Sequence, residues 1–324
     1  MSLTRADGHA AVAVGILEMP PLLPALVERA REQYRVLTLP SSPDERAAFL
    51  ADHADSIQVL VTPGPVGAKA ELINSLPALR AIVNVGVGYD SIDLNAAHSR
   101  NIVVSNTPGV LNSCVADLAI GLLLDIFRQI SAADRFIRRS EWQTREYPLT
   151  TQFSHSRIGI VGLGRIGREI AHRLEAFGID IMYFNRRRLP DSPYTYVSDP
   201  VQLAQRCDAL VVSISGGTAT KGLISREVLE ALGPKGYLVN VSRGSVVDES
   251  ALVSLLAQGR LAGAGLDVFA REPSVPEDLL AMDNVVVVPH IGSATRTTRA
   301  AMNDLAFQNL KGFLETGRLV TPVT

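Results

Sequence analysis

The sequence has few cysteines, few aromatic residues and no long apolar run. Its 324 residues include two cysteines and one tryptophan, and aromatic residues make up 5% of the chain. Cys114 and Cys207 lack metal-ligand spacing, so we expect no metal site and interpret both as free thiols in a reducing compartment. Because no apolar stretch approaches the ~20 residues that span a bilayer, we expect a cytoplasmic protein without a membrane partner.

The chain also lacks an excess of charge of either sign. It has 31 Lys and Arg against 33 Asp and Glu, and its formal net charge is −2. Since nucleic-acid-binding proteins present a basic surface, this balance predicts no nucleic-acid partner, and the run Arg186 to Arg188 is too local to change that. Hydrophobic residues, by contrast, make up 47% of the chain. Composition and length together predict a soluble globular protein with two domains of ordinary size.

Strand-like apolar runs alternate with helix-like segments along the chain, which predicts a parallel α/β fold. The predicted strands are Ala11–Leu17, Tyr34–Leu39, Ile57–Val61, Ala81–Val85, Ile102–Ser105, Ile158–Val161, Ile179–Phe184, Ala209–Ile214, Tyr237–Val241, Ala264–Val268 and Val285–Val288. The predicted helices are Leu22–Ala30, Pro43–Ala51, Glu71–Ser75, Arg168–Phe177, Pro200–Arg206, Arg226–Ala231 and Glu249–Gln258.

Two further segments set the expected domain organisation. Ser113 to Arg139 has few helix breakers and is predicted as one long helix, buried at a domain or subunit interface because apolar residues surround most of it. Ala294 to Leu314 is predicted as a helix that returns to the first domain. We therefore expect two Rossmann-like or flavodoxin-like doubly wound domains with a cleft between them. The first comprises residues 1–106 and 294–324, and the second comprises residues 107–293.

A glycine-rich turn follows the first strand of the second predicted domain. It comes directly after Ile158–Val161 and opens an amphipathic helix. In that context the glycines permit a sharp turn, close approach of backbone to a pyrophosphate, and tight packing of helix on sheet. We therefore predict a dinucleotide site in this domain, although glycines also mark ordinary turns. The predicted contacts are Gly162, Leu163, Gly164, Arg165, Ile166 and Gly167.

The next strand ends without the acidic residue that normally binds the ribose hydroxyls. The chain reads Asn185-Arg186-Arg187-Arg188 at this point. An acid would repel a 2′-phosphate, whereas arginines supply forked donors suited to phosphate. The pattern favours NADP(H), bound by Asn185, Arg186 and Arg187, while NAD(H) remains possible. The alternative interpretation is a solvated basic turn.

Three polar residues follow later strands, at the sheet edge where ligands bind in doubly wound folds. Arg243 comes after the apolar run that ends at Val241, Glu272 after Gly265 to Arg271, and His290 after Val285 to Pro289. Taken singly, they could be an ion-pairing residue, a loop charge and a helix cap. The combination is far more specific.

On these motifs the chain resembles the D-isomer-specific 2-hydroxyacid dehydrogenase family. The matching segments are Asn84–Asp90, Asn106–Asp117, Ile158–Gly167, Leu238–Glu249, Gly263–Pro273 and Pro289–Thr295. The resemblance covers nearly the whole chain and is closest to the glyoxylate/hydroxypyruvate reductase branch, including its hydroxyphenylpyruvate-reducing members. Val212 to Gly217 departs from the Cys-Pro or Thr-Pro type sequence of many relatives, which leaves side-chain details near the cofactor riboses open.

The resemblance implies roles that elementary chemistry supports. Arg243 is expected to bind the substrate carboxylate and polarise the keto oxygen. His290 is expected to protonate the developing alkoxide. Glu272 is expected to hydrogen-bond His290, orient its imidazole and favour its protonated form. The implied product is a D-2-hydroxy acid, and the second domain is the implied NAD(P)-binding domain, with the first as the substrate-binding domain.

The resemblance also extends the predicted contact sets. Val85 to Gly88 corresponds to a loop whose N–H groups bind the substrate anion, or is simply a tight turn. Asp267 corresponds to a position near the nicotinamide carboxamide, or is structural. Trp142 either closes the pocket of the partner in a homodimer or packs as a large aromatic. The other predicted cofactor contacts are Val115, Ile214, Val241, Ser242, Arg243, His290 and Gly292. The predicted substrate contacts are Val85, Gly86, Val87, Arg243, His290 and Trp142.

The leading prediction is an NADPH-preferring, homodimeric reductase of a small 2-keto acid, with glyoxylate and hydroxypyruvate as first candidates. A reductase of a bulkier acid, such as hydroxyphenylpyruvate or 2-ketogluconate, is the alternative. The choice between small and bulky substrates depends on pocket residues between Ile57 and Gly64 and on the segment around Trp142, which the partner contributes in a homodimer. The alternative of another class is a nucleotide-sensing scaffold like the family's transcriptional corepressors, which the lack of extended disordered tails disfavours.

Overall fold

The computed structural model describes residues 15–323, which form two compact units. Unit 1 holds the described residues up to Pro108 and those from Arg299 onwards, and unit 2 runs from Gly109 to Thr298. The start of the first predicted strand, Ala11 to Val14, lies outside the described residues. Each unit contains its own parallel sheet, so each can be described by itself.

Unit 1 is built on a five-stranded parallel sheet. Its elements are β1 (Gly15–Glu18), α1 (Pro24–Arg31), β2 (Arg35–Thr38), α2 (Pro43–His53), β3 (Ile57–Pro63), α3 (Ala70–Asn74), β4 (Ala81–Val85), α4 (Leu94–Ser99) and β5 (Val103–Ser105). The strand order is β2-β1-β3-β4-β5, with every neighbouring pair parallel, which is the flavodoxin-like order. All five residues of β4 are buried, which explains why this strand is a continuous apolar run broken only by Asn84.

Unit 2 starts with two helices and continues as a seven-stranded parallel sheet. Its elements are α5 (Asn112–Arg128), α6 (Ile130–Arg138), β6 (Arg157–Val161), α7 (Arg165–Glu175), β7 (Asp180–Phe184), β8 (Thr195–Tyr196), α8 (Pro200–Arg206), β9 (Ala209–Val212), α9 (Arg226–Leu232), β10 (Tyr237–Asn240), α10 (Glu249–Ala257), β11 (Gly263–Leu266), α11 (Glu277–Leu280) and β12 (Val285–Val287). The strand order is β12-β11-β10-β9-β6-β7-β8. The direction of winding reverses between β6 and β9, and a doubly wound sheet binds its ligand at such a switch point.

The last helix, α12 (Arg296–Thr316), begins at the end of unit 2 and lies mostly in unit 1. Beyond it the chain returns to the sheet of unit 1, where Pro322 bridges to Ser105. The C-terminal segment is therefore part of the first unit.

The predicted α/β architecture of two parallel-sheet domains is confirmed, and every predicted strand overlaps an observed one. Among the strands and α-helices, three short ones were not predicted: the two-residue strand β8 and the helices α4 and α11. Each is too short to show a periodic pattern of apolar residues.

The prediction of one continuous helix from Ser113 to Arg139 is wrong. The segment forms α5 and α6, separated by Gln129 in the left-handed conformation with φ of 52°. The carboxylate of Asp125 accepts hydrogen bonds from the N–H of Ser131 at 2.8 Å and from its hydroxyl at 2.5 Å, which stabilises the start of α6. Neither Gly nor Pro marks the break, so the usual breaker signals do not reveal it.

The two cysteines are free thiols, with Cys207 buried and Cys114 partly exposed. Within residues 15–323, no helix combines the length and the apolar character needed to cross a lipid bilayer.

Candidate active site

The glycine-rich turn connects β6 to α7 in unit 2. Gly162 has φ of +101°, a conformation that L residues rarely adopt, and a Cβ there would lie 2.7 Å from the main-chain nitrogen of Ile214. A Cβ on Gly167 would collide with the carbonyl oxygen of Gly162, whereas a Cβ on Gly164 would meet nothing within 4 Å. The turn is therefore packed tightly on its inner side and open on its outer side, which fits a dinucleotide phosphate at the start of the helix.

A cavity of about 480 Å³ lies at this turn. Six of the predicted cofactor residues line it: Gly162, Leu163, Gly164, Arg165, Asn185 and Ile214. Ile166 and Gly167 lie in the first turn of α7 and do not line the cavity. The residues present therefore fit a nicotinamide dinucleotide, with phosphates held by main-chain N–H groups of the turn.

Four residues that sequence reasoning missed also line this cavity. They are Arg168, Leu189, Ser213 and Ser215. Arg168 is three residues after Arg165 on α7, so both lie on the same helix face, and helical spacing could have revealed it. Ser213 donates its hydroxyl to the carbonyl of Gly162 at 2.9 Å, so it also holds the turn against the end of β9.

Asn185 and the following arginines lie just after β7. The Oδ1 atom of Asn185 accepts a hydrogen bond from the N–H of Leu163 at 2.7 Å, which ties the end of β7 to the glycine turn. Arg186, Arg187 and Arg188 are exposed, and none of them forms an ion pair with the residues that the structure describes. Three uncommitted guanidinium groups thus stand beside the dinucleotide cavity, where a phosphate would recruit them.

Glu272 and His290 form the expected hydrogen bond, with 2.7 Å between Glu272 Oε2 and His290 Nδ1. The other carboxylate oxygen, Oε1, accepts the N–H of Phe269 at 3.1 Å. The two side chains are 29% and 30% exposed, so the pair is held by the protein yet accessible. Since an ionised carboxylate only accepts, Nδ1 carries a proton and Nε2 is left for a substrate oxygen.

The surroundings of Glu272 keep its carboxylate ionised. Burial acts to raise the pKa of Glu272, but the hydrogen bond and charge of His290, the N–H of Phe269 and the charge of Arg243 outweigh it, so the pKa lies below its usual value. An ionised Glu272 accepts the hydrogen bond from Nδ1 of His290 and so holds the imidazole in one orientation.

The loop that carries His290 is fixed by Asp267. His290 has φ of +51°, and its N–H donates to the main-chain oxygen of Asp267 at 2.9 Å. The two carboxylate oxygens of Asp267 accept the N–H groups of Ile291 at 2.6 Å and Gly292 at 2.9 Å. Asp267 is 1% exposed, and burial raises its pKa. The contacts thus give Asp267 a structural role in orienting His290, and its predicted contact with the nicotinamide stays a prediction.

Val115 lies beside the same loop. Its side chain is 3.5 Å from the position that a Cβ on Gly292 would take, and it is itself buried on α5. The predicted cofactor residues Val115 and Gly292 are therefore neighbours in unit 2.

Arg243 follows β10 and is positioned by Asn240. The Oδ1 atom of this buried amide accepts the N–H and the hydroxyl of Ser242, and its Nδ2 donates to the carbonyl of Arg243 at 3.0 Å. Val241 and Ser242 are buried between these two residues. These hydrogen bonds fix the main chain of the turn after β10, including the main chain of Arg243. Asn240 was not predicted, although a polar residue in an otherwise apolar strand was a usable signal.

The loops of Arg243 and Glu272 lie directly against each other. A Cβ on Gly244 would collide with the main chain of Phe269 and Ala270, so only glycine permits this approach. Glu249, at the start of α10, accepts the N–H of Ala270 through Oε2 at 2.9 Å. Unit 2 thus brings the three predicted catalytic residues onto neighbouring loops, and Glu249 is a further contact that sequence reasoning missed.

The remaining predicted substrate residues lie elsewhere. Val85 is the last residue of β4 in unit 1, and Gly86 and Val87 follow it. Trp142 lies in unit 2 on the short 3₁₀ turn Glu141–Gln143 and is 68% exposed, so packing within the chain does not account for it.

The comparisons with known proteins agree with this geometry. Residues 120–292 match the family described as D-isomer specific 2-hydroxyacid dehydrogenase, NAD binding domain. Hydroxyphenylpyruvate reductase of Plectranthus scutellarioides is 46% identical over 311 residues, which cover 96% of this chain and 99% of that protein. Glyoxylate/hydroxypyruvate reductase A of Arabidopsis thaliana is 44% identical over 311 residues, with the same coverage of 96% and 99%.

A solved structure is similar over nearly the same length. It is the NADPH-dependent glyoxylate/hydroxypyruvate reductase of Sinorhizobium meliloti in complex with NADP and malonate. It is 41% identical, covers 96% of each chain and superposes with a TM-score of 0.90. The similarity therefore includes residues of both units.

Proposed function

Since the chain belongs to the D-isomer-specific 2-hydroxyacid dehydrogenase family, we propose that it reduces a small 2-keto acid to the D-2-hydroxy acid with NADPH. It is an NAD(P)-dependent oxidoreductase that acts on CH–OH donors. Glyoxylate and hydroxypyruvate are the proposed substrates, because relatives with this name match the chain over nearly its whole length.

The Glu272–His290 hydrogen bond is the observation that carries the proposal. When bound, the reduced nicotinamide supplies the hydride, so the protein must bind the acid and deliver a proton. His290 donates that proton from Nε2 to the developing alkoxide, while ionised Glu272 holds Nδ1 and stabilises the imidazolium. Arg243 binds the carboxylate and polarises the keto oxygen. The loop Val85 to Gly88 in unit 1 is proposed to bind a carboxylate of the substrate through main-chain N–H groups.

The preference for NADPH rests on the turn after β7. Asn185 brings no negative charge to the ribose position, and Arg186 and Arg187 are exposed and free of ion pairs with described residues. The relative from Sinorhizobium meliloti is described as NADPH-dependent, which supports the proposal. We propose that both arginines bind the 2′-phosphate, so that NADH binds more weakly than NADPH.

A bulkier substrate is the second candidate. The Plectranthus scutellarioides relative is named for hydroxyphenylpyruvate, and 2-ketogluconate is a further candidate of this size. Such acids would need a wider pocket than glyoxylate needs, so the side chains that shape the pocket decide between the two.

We also propose that the chain forms a homodimer in which Trp142 helps to close the partner's substrate pocket. The exposed apolar residues Ile130, Ile137, Trp142 and Leu149 all lie within the segment 130–149, and exposed apolar residues of this size often mark an interface. A cytoplasmic location stays a prediction.

A substrate panel tests the proposed function directly. Oxidation of NADPH and of NADH is followed by absorbance with glyoxylate, hydroxypyruvate, hydroxyphenylpyruvate and 2-ketogluconate. We expect the highest kcat/KM with hydroxypyruvate or glyoxylate and NADPH, with NADPH favoured over NADH by at least about tenfold, the effect of one extra charged contact. A higher kcat/KM with a bulky acid would favour the second candidate. Tight binding of NADPH without turnover of any acid would identify a nucleotide-sensing scaffold instead.

A further inference from the structure

In the loop after β4, the carbonyl oxygens of Gly86, Val87 and Gly88 each accept a hydrogen bond from unit 1 itself. The side-chain amide of Asn84 donates to the carbonyls of Gly86 at 3.1 Å and Gly88 at 3.0 Å. Asn106 donates its side-chain amide to the carbonyl of Val87 at 2.9 Å. The carbonyl of Gly86 also accepts the N–H of Thr107 at 2.9 Å. Three consecutive carbonyls are thus fixed by side-chain amides from the ends of β4 and β5.

This arrangement determines where the loop N–H groups point. In a planar trans peptide the C=O and the N–H of the next residue point in opposite directions. When the carbonyls of Gly86, Val87 and Gly88 are turned into unit 1, the N–H groups of Val87, Gly88 and Tyr89 are turned outward. Within residues 15–323, no protein acceptor receives a hydrogen bond from any of these three N–H groups. Successive outward N–H groups form a concave surface that suits an anion.

The buried amide of Asn84 lowers the stability of unit 1. It is fully buried, and its Oδ1 atom accepts no hydrogen bond from the described residues. A buried acceptor without a partner lowers the free energy of unfolding, so an apolar residue would suit this position of β4 better if packing alone decided. What Asn84 contributes is its two hydrogen bonds to the carbonyls of the loop.

We propose that Asn84 and Asn106 are positioning residues for the substrate carboxylate. They hold the carbonyl oxygens of the loop away from the anion, whose negative charge those oxygens would repel, and so present the N–H groups of Val87, Gly88 and Tyr89 to it. Neither asparagine contacts the substrate itself. The inference rests on the proposed function of this loop and identifies what gives the loop its affinity for an anion.

Arg100 provides a matched control at the other end of β4. Its guanidinium donates to the carbonyls of Ile73, Leu76 and Pro77, with distances of 2.8 Å to Leu76 and 3.0 Å to Pro77. These bonds are also from a side chain to loop carbonyls of unit 1, but they lie before the strand rather than after it. Arg100→Met therefore removes comparable bonds without touching the loop.

The experiment measures binding of oxalate, a stable dicarboxylate, by calorimetry with NADPH saturating. Wild type, Asn106→Leu, Asn84→Leu and Arg100→Met are compared, and KM and kcat for the 2-keto acid are measured on the same samples. We expect both asparagine variants to raise the Kd of oxalate and KM about tenfold, the loss of roughly one charge-assisted hydrogen bond, with kcat and the Kd of NADPH nearly unchanged. Arg100→Met should keep the wild-type Kd of oxalate.

The outcomes separate this inference from the proposed function. Wild-type Kd of oxalate in both asparagine variants would overturn the inference, and so would an equal loss in Arg100→Met, which would indicate general loosening of unit 1. No binding of oxalate by the wild type would also overturn it. If Asn84→Leu does not fold, Asn106→Leu, whose side chain is partly exposed, decides alone. If the wild type binds oxalate and the variants lose it while no 2-keto acid is reduced, the inference stands and the proposed function fails.

Discussion

Unit 2 contains two polar regions that are built in opposite ways. In the loops of Glu272 and His290, both carboxylate oxygens of Glu272 and both of Asp267 accept hydrogen bonds, and the main chain after His290 is fixed. In the turn of Arg186 to Arg188, three cations are exposed and have no ion-pair partner among the described residues. The first region is organised before any ligand arrives, whereas the second, in the proposed function, becomes organised when the 2′-phosphate binds.

The difference assigns separate tasks to the two regions. A proton donor must already be oriented when charge develops on the substrate, because reorganising it at that moment would cost activation free energy. Cofactor choice needs only a difference in binding affinity, which exposed arginines can supply. We therefore expect the loops of Glu272 and His290 to govern kcat with either cofactor, and the arginine turn to govern which cofactor binds.

Removal of His290 should have the largest effect. His290→Ala removes the proton donor, so kcat for reduction should fall by about 10²–10⁴-fold with NADPH and with NADH alike. The Kd of NADPH, measured by fluorescence titration, should change little. The control is His172→Ala, which removes another His–Glu pair, with 3.1 Å to Glu175, on an exposed face of α7. Normal kcat in His290→Ala across pH 6 to 9 would rule out the acid role.

Glu272→Gln should have the next largest effect. The amide cannot hold Nδ1 of His290 as firmly as an ionised carboxylate does, so kcat should fall by about 10–100-fold while the Kd of NADPH stays nearly unchanged. Because the pKa of Glu272 lies below its usual 4.5, wild type keeps this carboxylate ionised throughout the working range. A kcat of Glu272→Gln equal to that of the wild type would contradict this role.

The same variant makes a prediction about stability. The folded-state pKa of Glu272 is lowered, so its stabilising contribution is fully present above its usual pKa of 4.5 and is lost as pH falls through the lower folded-state value. The free energy of unfolding in urea should therefore differ more between wild type and Glu272→Gln at pH 7 than at pH 3. A larger difference in the free energy of unfolding at pH 3 than at pH 7 would contradict an ionised Glu272 in the folded protein.

The double variant Arg186→Ala/Arg187→Ala tests the other region. Loss of two forked donors should raise the Kd of NADPH by about 10–100-fold and change that of NADH by no more than about threefold. Arg206→Ala, an exposed cation in the last turn of α8, is the control for a general loss of positive charge. An unchanged ratio of NADPH to NADH affinity in the double variant would leave the turn as a solvated basic segment.

Glu249 should give the smallest effect. Its carboxylate accepts the N–H of Ala270 in the loop that carries Glu272, so Glu249→Ala should lower kcat by about 3–10-fold through misplacement of Glu272. Glu249→Gln keeps an acceptor oxygen and should restore most of the activity, with an unchanged Kd of NADPH. Equal losses in both variants would show that charge rather than the acceptor matters.

The sequence predicted those elements of the fold that have long apolar runs. β4, β6 and β10 are buried on both faces, and such strands are continuous apolar segments in the sequence. The break at Gln129 was missed because it depends on Asp125 capping α6 and on a left-handed residue that is neither glycine nor asparagine. β8, of two residues, carries no periodic signal at all.

For the site, the sequence predicted residues that the structure places on neighbouring loops, and it missed the residues that hold those loops. Arg243, Glu272 and His290 follow apolar strands, and parallel strands bring their carboxyl ends to one edge of a sheet. Asn240, Glu249 and Asn84 act by hydrogen bonds to main-chain atoms. Such bonds depend on the course of the main chain after each strand, and a single sequence does not reveal that course.

The most direct test of the account is kcat for hydroxypyruvate reduction, measured with each cofactor at saturation. Arg186→Ala/Arg187→Ala should keep the wild-type kcat with saturating NADH while losing affinity for NADPH. His290→Ala should lose kcat equally with both cofactors. A large loss of kcat with saturating NADH in the arginine variant, or a cofactor-dependent loss in His290→Ala, would contradict the separation of the two regions.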